Sequence, residues 1–148
     1  MVAFWFVIRA RAISEWETGA VQPTLDHLIL WSGGLGWRLV IVDRRGVLRG
    51  PQQRPGESWV VFERRRLASP LRCRRLAWGL SQGELGQRVG VSRSAIQRWE
   101  LVRTPPRPMG LIVWAQKTNY CLGLRPMLVA ERRVVSVRSS GSFPVPRI

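Results

Sequence analysis

The sequence predicts a mainly α fold in which short helices pack into a bundle beside a short β-hairpin. Three observations predict it. Residues 80–100 read as two short helices joined by a tight turn at Gly90. Apolar side chains recur there at the i, i+3, i+4 spacing of amphipathic helices. Part of the same pattern occurs a second time in residues 11–42, so we expect two related helical units.

The composition favours a folded chain with a polyanionic partner. Of 148 residues 45% are hydrophobic, which is enough for a core. The net charge is +15, and because Lys117 is the only lysine, the excess comes from arginine. Arginine presents a forked donor suited to phosphates and guanine edges, although a GC-rich genome also favours it. A charge of this size most often indicates a nucleic acid partner.

Few residues suit catalysis or metal binding. Cys73 and Cys121 have no CxxC spacing and no neighbouring histidine, so we predict buried thiols in a reducing compartment rather than a zinc site. His27, the single histidine, is expected to be an ordinary helical residue. The nine acidic residues are scattered, and there is no phosphate-binding loop. We expect no enzyme activity, no cofactor, no metal and no small-molecule effector.

The amino-terminal run MVAFWFVI is apolar but too short to cross a membrane. No basic residue precedes it and no cleavage-site pattern follows it, so a signal peptide is not expected. The sequence therefore predicts a cytoplasmic protein with no membrane partner.

The patterns along the chain predict four parts. Residues 1–49 hold a partial helical unit followed by a β-hairpin, whose turn is Asp43-Arg44-Arg45-Gly46. Residues 50–68 are predicted to be a linker. Within it, the pattern of residues 59–66 fits either a short strand or the start of a helix. Residues 69–125 form the complete helical domain. Residues 126–148 form a tail that is partly disordered.

Helix boundaries in the complete domain follow from capping residues. Ser69 and Pro70 are expected to start a helix that ends at Gly79. Ser81 and Glu84 form a capping box for the next helix.

The following turn and third helix are predicted in the same way. Gly90 supplies the turn with a positive φ, and Ser92 caps the third helix. Ile96 and Trp99 face inward, and Glu100 is expected to pair with Arg74 or Arg75. A proline-rich connector leads to a fourth helix over residues 109–117.

The internal repeat appears at a shift of 83 positions, the separation of Trp16 and Trp99. The matches are Ala12, Ile13, Trp16, Glu17, Pro23, Leu28, Ile29, Trp31 and Leu39 on Ala95, Ile96, Trp99, Glu100, Pro106, Leu111, Ile112, Trp114 and Leu122. The four tryptophans of this set are expected to pack in the core. The first two helices have no counterpart in the first unit. Either that unit is partial, or the chain begins too late to include them.

Residues 71–122 resemble the lambda-repressor and Cro-like helix-turn-helix family. The residues that carry the resemblance are Leu80-Ser81-Gln82, Glu84-Leu85, Gly90-Val91-Ser92, Ile96, Trp99-Glu100 and the apolar fourth helix. Residues 11–42 resemble the later half of the same domain. The resemblance implies a lambda-repressor-like helix-turn-helix bundle, with a truncated second helical unit. It also implies binding to double-stranded operator DNA, for which a homodimer is one possible state.

The resemblance assigns DNA contacts by position. Gln82 matches the helix-start position that touches phosphate. Ser92, Arg93 and Ser94 begin the recognition helix, and Gln97 and Arg98 lie on its outward face. Arg93 and Arg98 are expected to read bases, and Arg103 and Arg107 to contact phosphates. The competing interpretation is that these arginines are ordinary solvated helix residues.

The sequence departs from the family at three places. The connector contains Pro105, Pro106 and Pro108, so the fourth helix is expected to start late. The family usually has Gly or Asn soon after the recognition helix, where this chain has Leu101-Val102-Arg103. Gly83 and Gly86 lie inside the second helix, and each is expected to cost roughly 0.5–1 kcal/mol relative to alanine.

The leading functional hypothesis is a sequence-specific DNA-binding transcriptional regulator, a repressor of phage or bacterial type, that places residues 92–100 in the major groove. The alternatives are a degenerate helical protein-interaction module and the DNA-binding antitoxin of a toxin–antitoxin pair.

Overall fold

The computed structural model describes residues 6–7 and 24–132. Its helices are α1 (Leu25–Gly34), α2 (Trp59–Ala77), α3 (Gln82–Val89), α4 (Arg93–Glu100) and α5 (Pro108–Lys117). Its strands are β1 (Phe6–Val7), β2 (Trp37–Asp43), β3 (Gly46–Val47) and β4 (Cys121–Pro126). Residues 129–132 are also helical. The mainly helical prediction is confirmed. The parts of the predicted first unit at 11–23 and of the tail at 133–148 lie outside the described residues.

The strands form one antiparallel sheet in the order β1-β4-β2-β3. The predicted hairpin is confirmed as β2 and β3, because Asp43 pairs with Gly46 across the turn. The backbone N–H of Arg45 donates to the Asp43 carboxylate at 2.7 Å, and Gly46 has a φ of 115°. A side-chain acceptor and a glycine with positive φ are what such a tight turn requires.

Strand β4 was not predicted, since its residues were assigned to the end of the helical domain. The segment CLGLRP contains no β-branched residue and includes a glycine and a proline, so its local preference for a strand is weak. It forms a strand because β2 pairs with it along its whole length, from Cys121 to Pro126. A distant segment of the chain therefore determines its conformation.

The linker predicted over residues 50–68 is wrong in its second part. Helix α2 begins at Trp59, where the Ser58 hydroxyl accepts the backbone N–H of Val61 at 3.3 Å. The expected start at Ser69 is wrong as well, since Pro70 lies inside the helix. A proline within a helix costs about 3 kcal/mol. Burial of Trp59 and the other apolar side chains on both sides of Pro70, namely Phe62, Leu67 and Leu71, offsets that cost.

One hydrophobic core joins the described parts of both repeats. The side chains that fill it come from every helix and from both long strands, among them Leu25, Ile29, Leu39, Leu71, Leu85, Ile96, Trp114 and Leu122. Met127 is also buried in this core, and its backbone N–H donates to the Gly36 carbonyl at 2.8 Å. The beginning of the predicted tail is therefore part of the fold.

The repeat predicted from the sequence is visible in the second half of each unit. The bounds of α5 follow those of α1 at the shift of 83 positions, and each helix leads directly into one of the two central strands. The connecting turns also match, because Gly36 and Asn119 occupy equivalent positions and have φ values of 81° and 60°. Left-handed residues at the same point end both helices.

A buried ionic network attaches the sheet to α2. The Glu63 carboxylate accepts from Arg38 on β2 at 2.9 Å and from Arg66 at 2.5 Å. Arg66 also donates to the Leu39 carbonyl, and Arg38 also pairs with Glu131. Burial lowers the pKa of Arg66, while the charge of Glu63 opposes that effect. Each buried charge has an opposite partner, as burial requires.

Two smaller findings complete the comparison with the sequence. Cys73 and Cys121 are both exposed, so the prediction of buried thiols is wrong. Within the described residues, no helix combines the length and the apolar character needed to cross a membrane.

Candidate nucleic-acid interface

Helix α3 begins with the predicted capping box. The Ser81 hydroxyl accepts the backbone N–H of Glu84 at 3.0 Å, and the Glu84 carboxylate accepts the backbone N–H of Ser81 at 3.1 Å. These hydrogen bonds, led by the one from the Ser81 backbone, lower the pKa of Glu84. The two residues satisfy each other's backbone donors and so fix where α3 starts.

The turn between α3 and α4 is built on two glycines. Gly90 has a φ of 89°, as predicted, and its N–H and that of Val91 both donate to the Gly86 carbonyl, at 2.8 and 2.9 Å. At Gly86 a Cβ atom would lie 2.6 Å from the Val91 carbonyl oxygen. The expected cost of Gly86 therefore has a structural reason, because only glycine lets the turn fold this closely onto α3.

Helix α4 has one face in the core. The Ser92 hydroxyl caps it by accepting the backbone N–H of Ala95 at 3.1 Å, which confirms that prediction. Ile96 is fully buried, and Trp99 is half-buried with its ring centroid 5.6 Å from that of Trp114. The inward positions predicted for Ile96 and Trp99 are thus confirmed, and they set the orientation of the opposite face.

A buried ion pair joins the ends of three helices. Arg75 at the end of α2 donates to both carboxylate oxygens of Glu100 at 2.7 and 2.8 Å, and to the Leu80 carbonyl at 2.8 Å. Its hydrogen bond to Glu100 raises the pKa of Arg75. The Gln82 amide also donates to Glu100, at 3.1 Å. Of the two partners predicted for Glu100, Arg75 is confirmed.

Arg74 has a different environment. Its guanidinium lies 4.2 Å from the centroid of the Tyr120 ring and donates to the Tyr120 hydroxyl at 2.7 Å and to the Thr118 carbonyl at 3.3 Å. Arg74 thus attaches α2 to the turn before β4 through stacking and hydrogen bonds. The predicted alternative, in which Arg74 pairs with Glu100, is wrong.

The segment after α4 ends that helix with a valine at the position where the family usually has glycine or asparagine. Val102 takes the left-handed conformation at φ 60°. Its N–H donates to the Trp99 carbonyl, and that of Arg103 donates to the Arg98 carbonyl, at 3.2 and 3.0 Å. This is the Schellman arrangement. Arg64 donates to the Val102 carbonyl at 2.9 Å and so holds the turn against α2.

The structure places nearly all of the predicted DNA-contacting residues on the surface. Those exposed are Ser92, Arg93, Ser94, Gln97, Arg98, Arg103 and Arg107. Gln82 is half-buried and is the first residue of α3, where its side-chain amide donates to Glu100. The exposed residues of α4 lie one turn apart on the side opposite Ile96 and Trp99. Arg103 and Arg107 follow in the connector to α5.

The charge around this surface is strongly positive. Between residues 66 and 121 the acidic residues are Glu84 and Glu100. Glu100 is buried and neutralised by Arg75, and Glu84 is occupied in the capping box. The exposed arginines of this segment therefore face solvent with little opposing charge, which favours a polyanion.

Sequence reasoning missed Arg72. Its side chain is 55% exposed and its Nε lies 3.9 Å from Glu100, the residue that also holds Gln82. Arg72 thus adds positive charge beside the start of α3. The spacing of Arg72 and Arg75, three residues apart on one helix, could have indicated a shared face directed at Glu100.

Among the residues described by the structure, no three His, Cys, Asp or Glu side chains lie together in a way that could hold a metal ion. The expectations of no enzyme activity and no cofactor stay predictions.

Comparison with known proteins identifies the segment that contains this surface. Residues 66–121 match the family model of a helix-turn-helix domain. The match runs from the second part of α2 through α3, α4 and α5 to the first residue of β4. No similar protein was found among curated proteins, nor any similar chain among solved structures. Residues 66–121 are therefore similar to a helix-turn-helix domain. The narrower resemblance to lambda repressor and Cro stays a prediction.

Proposed function

We propose that this protein is a sequence-specific DNA-binding repressor of phage or bacterial type that inserts α4 into the major groove. The observation that carries the proposal is the exposed face of α4, which is held rigidly from behind. Ile96 packs in the core, and Glu100 is held by Arg75. A reading helix must be positioned in this way, because hydrogen bonds to bases depend on direction.

The dimensions and chemistry of α4 fit the groove. An α-helix with its side chains is about 10–12 Å across, close to the width of the major groove. Arg93 and Arg98 present two-pronged donors suited to O6 and N7 of guanine, and Gln97 suits N6 and N7 of adenine. Ser94 lies between them and can contact either a base or the backbone.

The flanking residues suit the phosphate backbone. Gln82 at the start of α3 and Arg103 and Arg107 in the connector bracket α4 along the chain. Contacts of this kind fix register and orientation but carry no sequence information. Each phosphate neutralised should make the affinity fall more steeply with salt. Repression would then be steric, since a protein lying in the major groove excludes polymerase from the same site.

The test compares two pairs of arginines by fluorescence anisotropy. A preferred site is first selected from random-sequence duplexes with the native chain. Binding to that site and to a random duplex is then measured across a salt series. The variants are Arg93→Ala/Arg98→Ala and the matched control Arg44→Ala/Arg45→Ala, which removes two exposed arginines from the β2–β3 turn.

We expect the first variant to lose about 100-fold or more in affinity for the selected site, because each arginine–guanine pair contributes about 1–3 kcal/mol. The control should retain its preference and lose only the small amount due to charge. If both variants lose the same amount, and the native chain does not prefer any sequence, charge alone explains the binding. The proposal would then be wrong and the protein-interaction module would be favoured.

A further inference from the structure

Strands β2 and β4 pair so that one residue of β2 lies directly opposite its own counterpart in the repeat. Val40 lies opposite Gly123, and these residues are 83 positions apart, the period of the repeat. One step to either side, Leu39 lies opposite Leu124 and Ile41 lies opposite Leu122.

This register has the symmetry of a twofold axis. In the repeat, Leu39 corresponds to Leu122 and Ile41 to Leu124. Leu39 therefore lies opposite the counterpart of Ile41, and Ile41 lies opposite the counterpart of Leu39. Such reciprocal contacts are what two identical copies make in an isologous dimer.

The helices before the two strands follow the same symmetry in their burial. Leu28 and Ile29 of α1 are buried, as are their counterparts Leu111 and Ile112 of α5. All four belong to one hydrophobic core, on the face of the sheet that Leu39 and Leu122 also line. The equivalence therefore extends from sequence to helix bounds, turn conformation and the burial of these four residues, whereas Trp31 is only half-buried and its counterpart Trp114, against the prediction that both lie in the core, is alone fully buried.

We infer that the chain is a pseudodimer, in which α1–β2 and α5–β4 of one chain take the places of two separate copies. We also infer that a single chain binds one DNA site that has no two-fold symmetry. The first part rests on the register of β2 and β4, and the second part also rests on the proposed function. The contact through which two separate copies would pair is made within one chain.

The outer sides of the two central strands are partly covered within the chain. Strand β4 lies between β1 and β2, and β2 lies between β4 and β3, so two residues on the outer side of each central strand are already paired. Among the described residues the outer strands are the two-residue segments Phe6–Val7 and Gly46–Val47. The β3 edge, with described residues on both sides, is short enough to be a poor template for pairing with another chain.

The residues that would read DNA do not share the symmetry. At the period of the repeat, Arg93 corresponds to Ala10, Gln97 to Ser14 and Arg98 to Glu15. Two-fold operators mirror two-fold proteins that carry the same recognition residues on both halves. Here the two-fold relation covers α1–β2 and α5–β4, whereas α3 and α4 have no counterpart among the described residues and the recognition residues differ, so the preferred site should lack a palindrome.

The first test measures mass and stoichiometry with the full chain. Light scattering and sedimentation are recorded over a wide protein range, alone and with the duplex selected above. We expect one chain of 16.9 kDa in free solution, a one-to-one complex, and a selected site without two-fold symmetry. A dimer in solution, or two chains on half-sites about 10 base pairs apart, would overturn the inference.

The second test asks whether β2 and β4 pair within one chain. Val42 lies opposite Cys121, and directly opposed residues are close enough for a disulfide. The variant is Val42→Cys/Cys73→Ser, and Cys73→Ser alone is the control. After mild oxidation we expect a disulfide within the monomer on a non-reducing gel. A linked dimer, or no disulfide, would contradict the register.

The outcomes separate this inference from the proposed function. If the native chain binds no DNA selectively, the proposed function fails, while the free mass and the disulfide still decide whether the chain is a pseudodimer. If it binds a palindrome as two chains, the proposed function stands and this inference fails.

Discussion

A Cβ atom on Gly86 would lie 2.6 Å from the carbonyl oxygen of Val91, so these two residues set how closely the turn approaches α3. The contact involves backbone, which cannot move aside as the end of a side chain can. Gly83, in the same helix, has nothing nearer to such an atom than the Ser81 hydroxyl at 3.8 Å. Two glycines that look alike in the sequence therefore have different roles.

Substitution of these glycines should change stability in opposite directions. Gly83→Ala is expected to raise the free energy of unfolding by about 0.5–1 kcal/mol, since alanine loses less entropy in a helix. Gly86→Ala is expected to lower it by roughly 1–3 kcal/mol, because the added methyl forces the turn apart. Urea denaturation of both variants measures this. Equal effects would show that the close approach is not maintained in solution.

Removing the carboxylate of Glu100 should destabilise the helix-turn-helix. Glu100→Gln leaves Arg75 buried without its charged partner, and we expect a loss of about 1.5–3 kcal/mol in the free energy of unfolding. The control is Glu84→Gln, an exposed residue in the same domain. The double variant Arg75→Met/Glu100→Met should cost less than the sum of its single variants. An additive result would mean that the pair contributes no coupling energy.

Val102→Gly should stabilise the turn after α4. A β-branched residue at φ 60° is strained by about 1–2 kcal/mol, and glycine has no such strain. Because glycine also increases the entropy of the unfolded chain, the net gain should be about 0.5–1 kcal/mol. Leu101→Gly is the matched control, and it should lower stability, since Leu101 has an ordinary helical φ of −81°. Thermal unfolding of the two variants decides the matter.

Glu131 should make the fold sensitive to acid. It lies between Arg38 and Arg125, which face each other across β2 and β4. Burial alone would raise the pKa of Glu131. Hydrogen bonds from Arg125 and from the Leu128 backbone, together with the charges of the two arginines, lower it to about 2.

The sign of the pH dependence follows from that shift. A carboxylate whose pKa falls on folding stabilises the protein above its unfolded pKa, and the stabilisation disappears as the pH drops. Glu131 should therefore contribute fully above about pH 4.5, and progressively less toward pH 2. In Glu131→Gln the loss of stability over this range should be smaller than in the native chain. Identical slopes in urea denaturation at several pH values would contradict the assignment.

Much of the helix-turn-helix could be predicted because its determinants are local. The capping box at Ser81, the cap at Ser92 and the positive φ at Gly90 each depend on atoms within a few residues of the chain. The β2–β3 turn is of the same kind. Hydrogen bonds between residues so close along the chain have only one geometry open to them. Residue type and spacing are therefore enough to identify them.

The candidate site was less completely predicted. The outward positions on α4 followed from helical periodicity, because the inward positions are apolar. The partner of Gln82 and the contribution of Arg72 did not follow, since both depend on the place where Glu100 meets α2. Whether the exposed side chains contact bases stays a prediction.

The sequence by itself determined the local units of this protein: where α3 and α4 begin, how they turn, and that part of the pattern is repeated. Tertiary structure alone decided that Pro70 lies within a continuous helix, that Arg75 rather than Arg74 holds Glu100, and that residues 121–126 form a strand. The physical reason is separation along the chain. Burial around Pro70 and the pairing of Val40 with Gly123 depend on segments that meet only after folding, and no local pattern encodes that meeting.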